Sequence, residues 1–253
     1  MLGIKDELEL LCLRSSKIIF FTGAGISTDS GIPDYRSPGT GLWNKIKPVE
    51  FRKFIEDKGV REDYWEARFI SSSPLDIASP NPSHFAISDI IHSGKGLAVI
   101  TQNVDNLHQR SGIPEELVIE LHGNASYAKC LSCETRIELV DLRKRWSRKV
   151  EVSRCSLCGG IVKAATISFG QEMPRLPMAQ SAELIQSCDL MIVVGSSLLV
   201  HPAAVFPQYA KQLGAALVIL NNEPTPLDDL ADILVRERIG DVLPELSKKL
   251  ILA

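Results

Sequence analysis

Apolar positions along this chain gather into short unbroken runs: Lys17–Phe21, Leu97–Ile100, Leu117–Leu121, Leu190–Val194, Ala216–Leu220 and Ile233–Val235. Runs of that length without polar alternation suit strands buried on both faces, as in a parallel sheet. Between most of them lie helix-like segments at Ser83–His92, Met178–Ser187 and Pro202–Leu213, and "MLGIKDELELLCLRSSK" reads as an amphipathic first helix. Asn81-Pro82 ahead of "SHFAISDII" has the form of a helix start with Pro in the first turn. The alternation predicts an α/β fold, an open parallel sheet with helices on both faces.

Two stretches stand outside the alternation. Residues 35–80 mix Pro, Gly, Trp and charges, with helical pieces at Phe51–Ile55 and Tyr64–Ile70, and residues 126–163 hold four paired cysteines. Both read as insertions that form a second, smaller module, so the larger domain is expected from 1–34, 81–125 and 164–253.

Composition narrows the class. The chain has 253 residues, 45% of them apolar, enough for one sizeable core with a small insertion. A formal charge of −3 gives no footprint for nucleic acid or a membrane surface, and no apolar run is long enough to span a bilayer. The N-terminus lacks the form of a signal peptide, and the expectation is a cytoplasmic protein.

The residues just after each run carry the chemistry. After Phe21 comes "TGAGIS", after Ile100 "TQNVDNLH", after Leu121 "HG", after Val194 "GSS" and after Leu220 "NNEPT". In open parallel sheets ligands bind outside the carboxyl ends of the strands. One such end is ordinary turn chemistry; five together define a site. Gly23 and Gly25 follow a strand and open a helix, where backbone N–H groups suit a pyrophosphate in a Rossmann-like fold, although glycine also serves any tight turn there. The usual dinucleotide fingerprint wants a third glycine, where Thr28 stands, and an acid ending a second strand about 20 residues on. That distance falls in "GLWNKIKPVE", which reads as a loop; the next strand end suited to a ribose is "VILNNE".

Of the six cysteines, Cys130, Cys133, Cys155 and Cys158 form two C-x-x-C pairs with 21 residues between them, close to zinc-ribbon spacing. Four thiolates leave no open coordination position, so one zinc there is structural. Neither pair opens a helix beside a strand, which disfavours a redox role.

"GAGISTDSGIPDYR", "TQNVDNLHQRSG", "ELHG", the paired cysteines, "VVGSS" and "ILNNEPT" occur in the order seen in sirtuins, the NAD-dependent protein-lysine deacylases, and the resemblance runs from about Phe20 to Leu246. "GIPDYRS", with Tyr35 where many members have Phe, and "YWEARFI" resemble the class II branch, which includes a mitochondrial sirtuin and bacterial relatives. The resemblance implies NAD lying across the strand ends. Gly23, Ala24 and Gly25 then cradle the pyrophosphate with Ser27 nearby, while Asp34, Tyr35 and Arg36 cover the nicotinamide ribose. Asn103 and Asp105 hold nicotinamide and ribose, Gln102 meets a ribose hydroxyl, and Gly195, Ser196 and Ser197 meet phosphate and adenosine ribose. Asn221 and Glu223 meet the adenosine ribose and the backbone at Ile239 the adenine.

Among five histidines, His84 and His92 sit on a helix, His108 follows the N-V-D loop and His201 precedes Pro202, all consistent with structural roles. His122 ends a buried strand inside the crevice, and an imidazole with an ordinary pKa near 6.5 suits a general base at neutral pH. The resemblance implies that it deprotonates a ribose hydroxyl of NAD.

It also implies that an acyl-lysine peptide pairs as a strand near Thr166–Phe169 in "KAATISFGQEM". Ala164 stands where Pro is usual and Gln171 where an acid is usual. Relatives that remove acidic acyl groups carry a Tyr-x-x-Arg pair near Trp65; the aligned positions here are Arg68 and Ser71, so that specificity does not transfer, and Arg68 reads equally as a solvated helix residue. Beside the deacylase stand two other readings. One is ADP-ribosyl transfer or NAD hydrolysis through the same activated ribose; the other is a non-catalytic NAD sensor, against which Asn103, Asp105 and His122 together argue. A hydride-transferring oxidoreductase is the weakest, because the fingerprint is incomplete.

Overall fold

A computed structural model describes residues 3–35, 41, 48–70 and 73–252. In chain order the first half runs α1 (Ile4–Arg14), β1 (Ile18–Thr22), a 3₁₀ turn (Ala24–Ser30), α2 (Phe51–Glu56), α3 (Lys58–Ile70), α4 (Pro74–Ile77), α5 (Pro82–His92) and β2 (Gly96–Thr101). Then come α6 (Leu107–Arg110), β3 (Val118–Glu120), β4 (Gly123–Cys130), β5 (Arg136–Glu138), α7 (Leu139–Ser147) and β6 (Val162–Thr166). The chain closes with α8 (Arg175–Ile185), β7 (Leu190–Val194), α9 (Val205–Gln212), β8 (Ala216–Leu220), β9 (Ile233–Val235) and α10 (Ile239–Leu252).

Six parallel strands form the main sheet in the order β3-β2-β1-β7-β8-β9. Every residue of β1 and β7 is buried, as continuous apolar runs require when both faces are covered. Ile18, Phe20, Leu190, Ile192 and Val218 face α1, α5 and α10, while Ile19, Phe21, Met191, Val193 and Leu217 face α8 and α9. The strand order turns back at β1, with β2 on one side and β7 on the other. Thr22 pairs with both Thr101 and Val194, Thr101 with Glu120, Val194 with Leu220 and Leu220 with Val235, so the carboxyl ends form one level row. Helix α5 starts as its sequence predicts: the Asn81 side chain accepts from the Ser83 and His84 N–H groups, with Pro82 in the first turn.

A second, antiparallel sheet, β5-β4-β6, belongs to the cysteine-bearing segment. Trp65 and Phe69 of α3 share its core with Ala128, Cys130, Leu142, Cys155 and Val162, and the Trp65 indole N–H donates to the Val162 carbonyl at 3.2 Å. The helical insertion and the cysteine insertion therefore bury apolar surface on each other. No helix among the described residues is long and apolar enough to cross a membrane.

Candidate active site and zinc site

The row of carboxyl ends opens onto a cavity of about 1080 Å³ that reaches across to α3 and to the segment following β6. Gly23, Ala24, Gly25, Asp34, Tyr35, Gln102, Asn103, His122, Gly195, Ser196, Ser197, Asn221 and Glu223 all line it. Ser27 and Asp105 lie directly behind that wall, Ile239 opens α10 with its side chain against the core, and Arg36 falls outside the described residues.

The glycines also do something that the spacing does not imply. The Gly23 N–H donates to the Val194 carbonyl at 3.0 Å and the Gly25 N–H to the Gly195 carbonyl at 2.8 Å, so two of the three successive amides expected to cradle a phosphate are already bonded to protein. The helix that the glycines open is a 3₁₀ helix, Ala24–Ser30. A Cβ at Gly25 would stand 2.7 Å from the Gly195 Cα, and one at Gly23 would stand 2.7 Å from the Gly195 carbonyl oxygen. Gly195 itself has φ +62°, a left-handed conformation that glycine adopts without strain. The backbone turn after β7 thus packs against the glycine loop on the side where a Cβ would stand. Gly25→Ala is expected to cost roughly 1–3 kcal/mol, since backbone on both sides leaves no flexible neighbour to yield. A urea unfolding midpoint equal to the parent's would contradict that packing.

Asn103 is held from behind. Its Nδ2 donates to the Gly23 carbonyl at 3.1 Å and to Ser27 Oγ at 3.2 Å. Ser27 Oγ donates onward to Asp105 Oδ2 at 2.7 Å, and the other carboxylate oxygen accepts from the Leu107 N–H at 2.9 Å. Burial pushes the Asp105 carboxyl above its usual range, and the Ser27 and Leu107 bonds oppose that push. Ser27 and Asp105 therefore orient Asn103, which lines the cavity.

A second buried chain was not legible in the motifs. Thr22 Oγ1 donates to Thr101 Oγ1 at 2.7 Å, the Asn103 N–H donates to that same Thr101 oxygen at 3.0 Å, and His108 Nε2 lies 2.9 Å from Thr22 Oγ1. Burial holds His108 well below its ordinary pKa, so the ring is neutral, and with the Thr22 hydroxyl donating to Thr101 it is Nε2–H that donates to Thr22 Oγ1. Its place behind Asn103 makes His108 a support of the site; the "LH" after "NVDN" is the only sequence signal for it. On the neighbouring strand end, Gln102 Nε2 donates to Ser196 Oγ at 2.8 Å, tying the β2 loop to the β7 loop.

His122 follows β3 and is half-buried, with Nδ1 2.9 Å from the Gln102 carbonyl oxygen. A carbonyl only accepts, so Nδ1 carries the proton and Nε2 holds the lone pair of the neutral ring. Burial lowers the His122 pKa from 6.5, and the Gln102 carbonyl opposes the shift. A base works when neutral, so kcat/KM is expected to fall only as the pH drops through a value under 6.5. A rate profile whose acid limb lay above pH 7 would contradict this assignment.

Two regions face these groups across the cavity. Past β6 the Ile167 N–H donates to the His122 carbonyl at 2.8 Å and the Phe51 N–H to the Phe169 carbonyl at 2.9 Å. Gln171 Oε1 accepts from the Ser168 N–H at 3.1 Å, closing the turn that ends this segment. From α3, Tyr64 and Arg68 reach the cavity. Arg68 is not a solvated helix residue: its side chain is 14% exposed, and Nη1 and Nη2 donate to the two Asp76 oxygens at 2.7 Å each. Ser71 lies outside the described residues.

The four cysteines converge at the far end of β4. Their sulfurs lie within 4.8 Å of one another, with Cys130 to Cys158 at 3.5 Å and Cys133 to Cys155 at 3.9 Å. A tetrahedral zinc about 2.3 Å from each sulfur sets sulfur–sulfur distances of about 3.8 Å. The N–H groups of Ser132, Leu157 and Gly160 point at Cys130, Cys155 and Cys158 sulfurs, each at 3.4 Å, which stabilises thiolate. The donor set and its spacing fit one zinc.

Comparison with known proteins agrees with this geometry. The family model of the Sir2 family matches residues 23–202. A Rhodopseudomonas palustris protein named NAD-dependent protein deacetylase is 47% identical over 238 residues, covering 94% of each chain. An Archaeoglobus fulgidus protein named NAD-dependent protein deacylase 2 is 38% identical, covering 97% of this chain and 95% of its own. Among solved structures, one described as "Sir2-p53 peptide-NAD+" superposes with a TM-score of 0.83 at 32% identity over 100% of both chains.

Proposed function

Because this chain belongs to the Sir2 family, we propose from its site how it removes acyl groups from protein lysines at the expense of NAD. It is an NAD-dependent protein-lysine deacylase, with NAD as co-substrate and one structural zinc on Cys130, Cys133, Cys155 and Cys158. The observation that carries the residue assignments is the neutral His122, with its basic Nε2 in the same cavity as Asn103 and the glycine loop.

In our reading NAD lies along the row of carboxyl ends. Its adenosine end meets Asn221 and Glu223, with adenine by the backbone at Ile239. Gly195, Ser196, Ser197 and the Gly23–Gly25 loop take the phosphates, with Gln102 on a ribose hydroxyl. Asn103 receives the nicotinamide end, oriented by Ser27 and Asp105, and Asp34, Tyr35 and Arg36 cover it. The acyl-lysine peptide adds as a strand along Thr166–Phe169, whose opposite edge is fixed by the Ile167 bond to His122.

The chemistry follows from that placement. The acyl carbonyl oxygen attacks the ribose carbon bearing nicotinamide; nicotinamide leaves, and an alkylamidate joins sugar to peptide. His122 Nε2 then takes the proton of a ribose hydroxyl, whose oxygen attacks the amidate carbon. Water completes release of free lysine and O-acyl-ADP-ribose. A cavity walled by both modules keeps the developing sugar cation from bulk water. Neither nucleic acid nor membrane takes part, and the cytoplasm suits the reduced thiols. The small module, 35–80 with 126–163, supplies the wall facing the sheet in this reading, and the likeness of Tyr35 and "YWEARFI" to the class II branch supports an assignment there.

The test is coupling. Nicotinamide release from NAD is expected to depend on an acetyl-lysine peptide, and release that ignores the peptide would instead favour NAD hydrolysis or ADP-ribosyl transfer.

A further inference from the structure

Asn221 and Glu223 stand on a loop that meets the apolar core through Leu227. Between β8 and β9 the chain reads Asn221, Asn222, Glu223, Pro224, Thr225, Pro226, and residues 222–224 are exposed. The two prolines donate no backbone hydrogen bond, so side chains add to the few backbone bonds, such as Asp228 N–H to the Thr225 carbonyl, that shape this loop. At its centre lies Arg236, directly after β9. Arg236 Nη1 donates to the Asn221 carbonyl at 2.7 Å and to the Glu223 carbonyl at 2.8 Å. Its Nη2 donates to the Asp228 carboxylate, which also accepts from Thr225 Oγ1 at 2.7 Å. The Asn221 amide donates to the Glu223 carbonyl at 2.7 Å, so part of the side chain expected on the ribose serves to fold the loop.

We infer that Arg236 is a positioning residue for the adenosine end of NAD, its guanidinium bridging both limbs of the 221–228 loop so that Asn221, Glu223 and Pro224 are held at the cavity wall. The inference rests on the reading of that loop as the adenosine subsite. A planar fork with several fixed donors suits this task, whereas an ammonium is a point donor that bridges fewer groups. Both terminal nitrogens of the guanidinium are engaged by carbonyls and carboxylate of the loop, so it acts through the loop. Loss of a preorganised loop weakens binding of the ligand it meets and leaves the distant chemical step alone.

The experiment measures initial rates against NAD at saturating acyl-peptide for the parent, Arg236→Met, Arg236→Lys and Glu223→Ala, with melting temperatures alongside. Arg236→Met is expected to raise the NAD KM about tenfold, as loss of charge-assisted hydrogen bonds implies. Its kcat and peptide KM should stay within about twofold, and Arg236→Lys should recover part of the NAD KM. A lower kcat at unchanged NAD KM would overturn the inference, because that is the signature of a smaller folded fraction. An unchanged NAD KM in Arg236→Met with a raised one in Glu223→Ala would overturn the clamp and leave the loop reading standing. Unchanged values in both would overturn the clamp and the subsite together.

Discussion

Replacing His122 with Ala is expected to lower the rate of deacylation by about 10²–10⁴, the range for a lost general base. The effect should fall on one half of the reaction. Departure of nicotinamide asks nothing of His122, because the attacking atom is the acyl oxygen and the developing charge sits on the sugar. The alkylamidate then waits for a ribose hydroxyl to lose its proton. Without Nε2 to take it, the amidate returns by recombination with nicotinamide. The variant should therefore still exchange labelled nicotinamide into NAD in the presence of acyl-peptide while releasing almost no deacylated product. Truncation also leaves the Gln102 carbonyl without its donor, which costs about 1 kcal/mol and leaves the fold intact. Chromatography that quantifies exchange and deacylated peptide in the same reaction separates the two halves. Deacylation at the parent rate would remove His122 from the mechanism.

Cys155→Ser is expected to abolish zinc binding and activity together. A structural zinc is worth on the order of 10–16 kcal/mol in small peptides, far more than the packing of a module this size, so losing one of four ligands should unfold the region around it. Cys130 and Cys155 are also buried members of the core that Trp65 and Phe69 complete from α3. Loss of that core frees α3, whose Tyr64 and Arg68 form one wall of the cavity, and loosens β6 ahead of the segment proposed to bind peptide. The main sheet has its own two apolar layers, which include none of these residues. Calorimetry of the variant should thus show the main transition retained and the module's contribution gone, with zinc falling from one per chain to near zero by atomic emission. A variant that keeps zinc and full turnover would contradict the four-thiolate assignment.

The large sheet was readable because its chemistry is local: β1, β7 and β8 are unbroken apolar runs whose burial follows from their composition. The start of α5 was readable from Asn81-Pro82 for the same reason. Helix α10 was obscured by Pro244, which usually ends a helix but here lies within one near its first turns. Strand β4 lacks an apolar run because its burial is uneven, so only its pairing with β5 and β6 identifies it. At the site, the motifs supplied residues and the fold supplied partners. Nothing near Gly25 in sequence reports that Gly195 packs on it, and nothing near Arg68 reports Asp76 in its fork. The role of His108 depends on Thr22 and Thr101 from two different strands. Asp105 reads as a ligand contact by its type and place; that its carboxylate also accepts from Ser27 and the Leu107 N–H is something only the geometry shows.

The most direct test of NAD-dependent deacylation at this site is mass spectrometry of an acetyl-lysine peptide incubated with the purified protein and NAD. The peptide is expected to lose the acetyl mass while O-acetyl-ADP-ribose and nicotinamide appear in equal amounts. A peptide that keeps its acetyl group while NAD is cleaved to free ADP-ribose, or that gains an ADP-ribosyl mass, would contradict the deacylase mechanism.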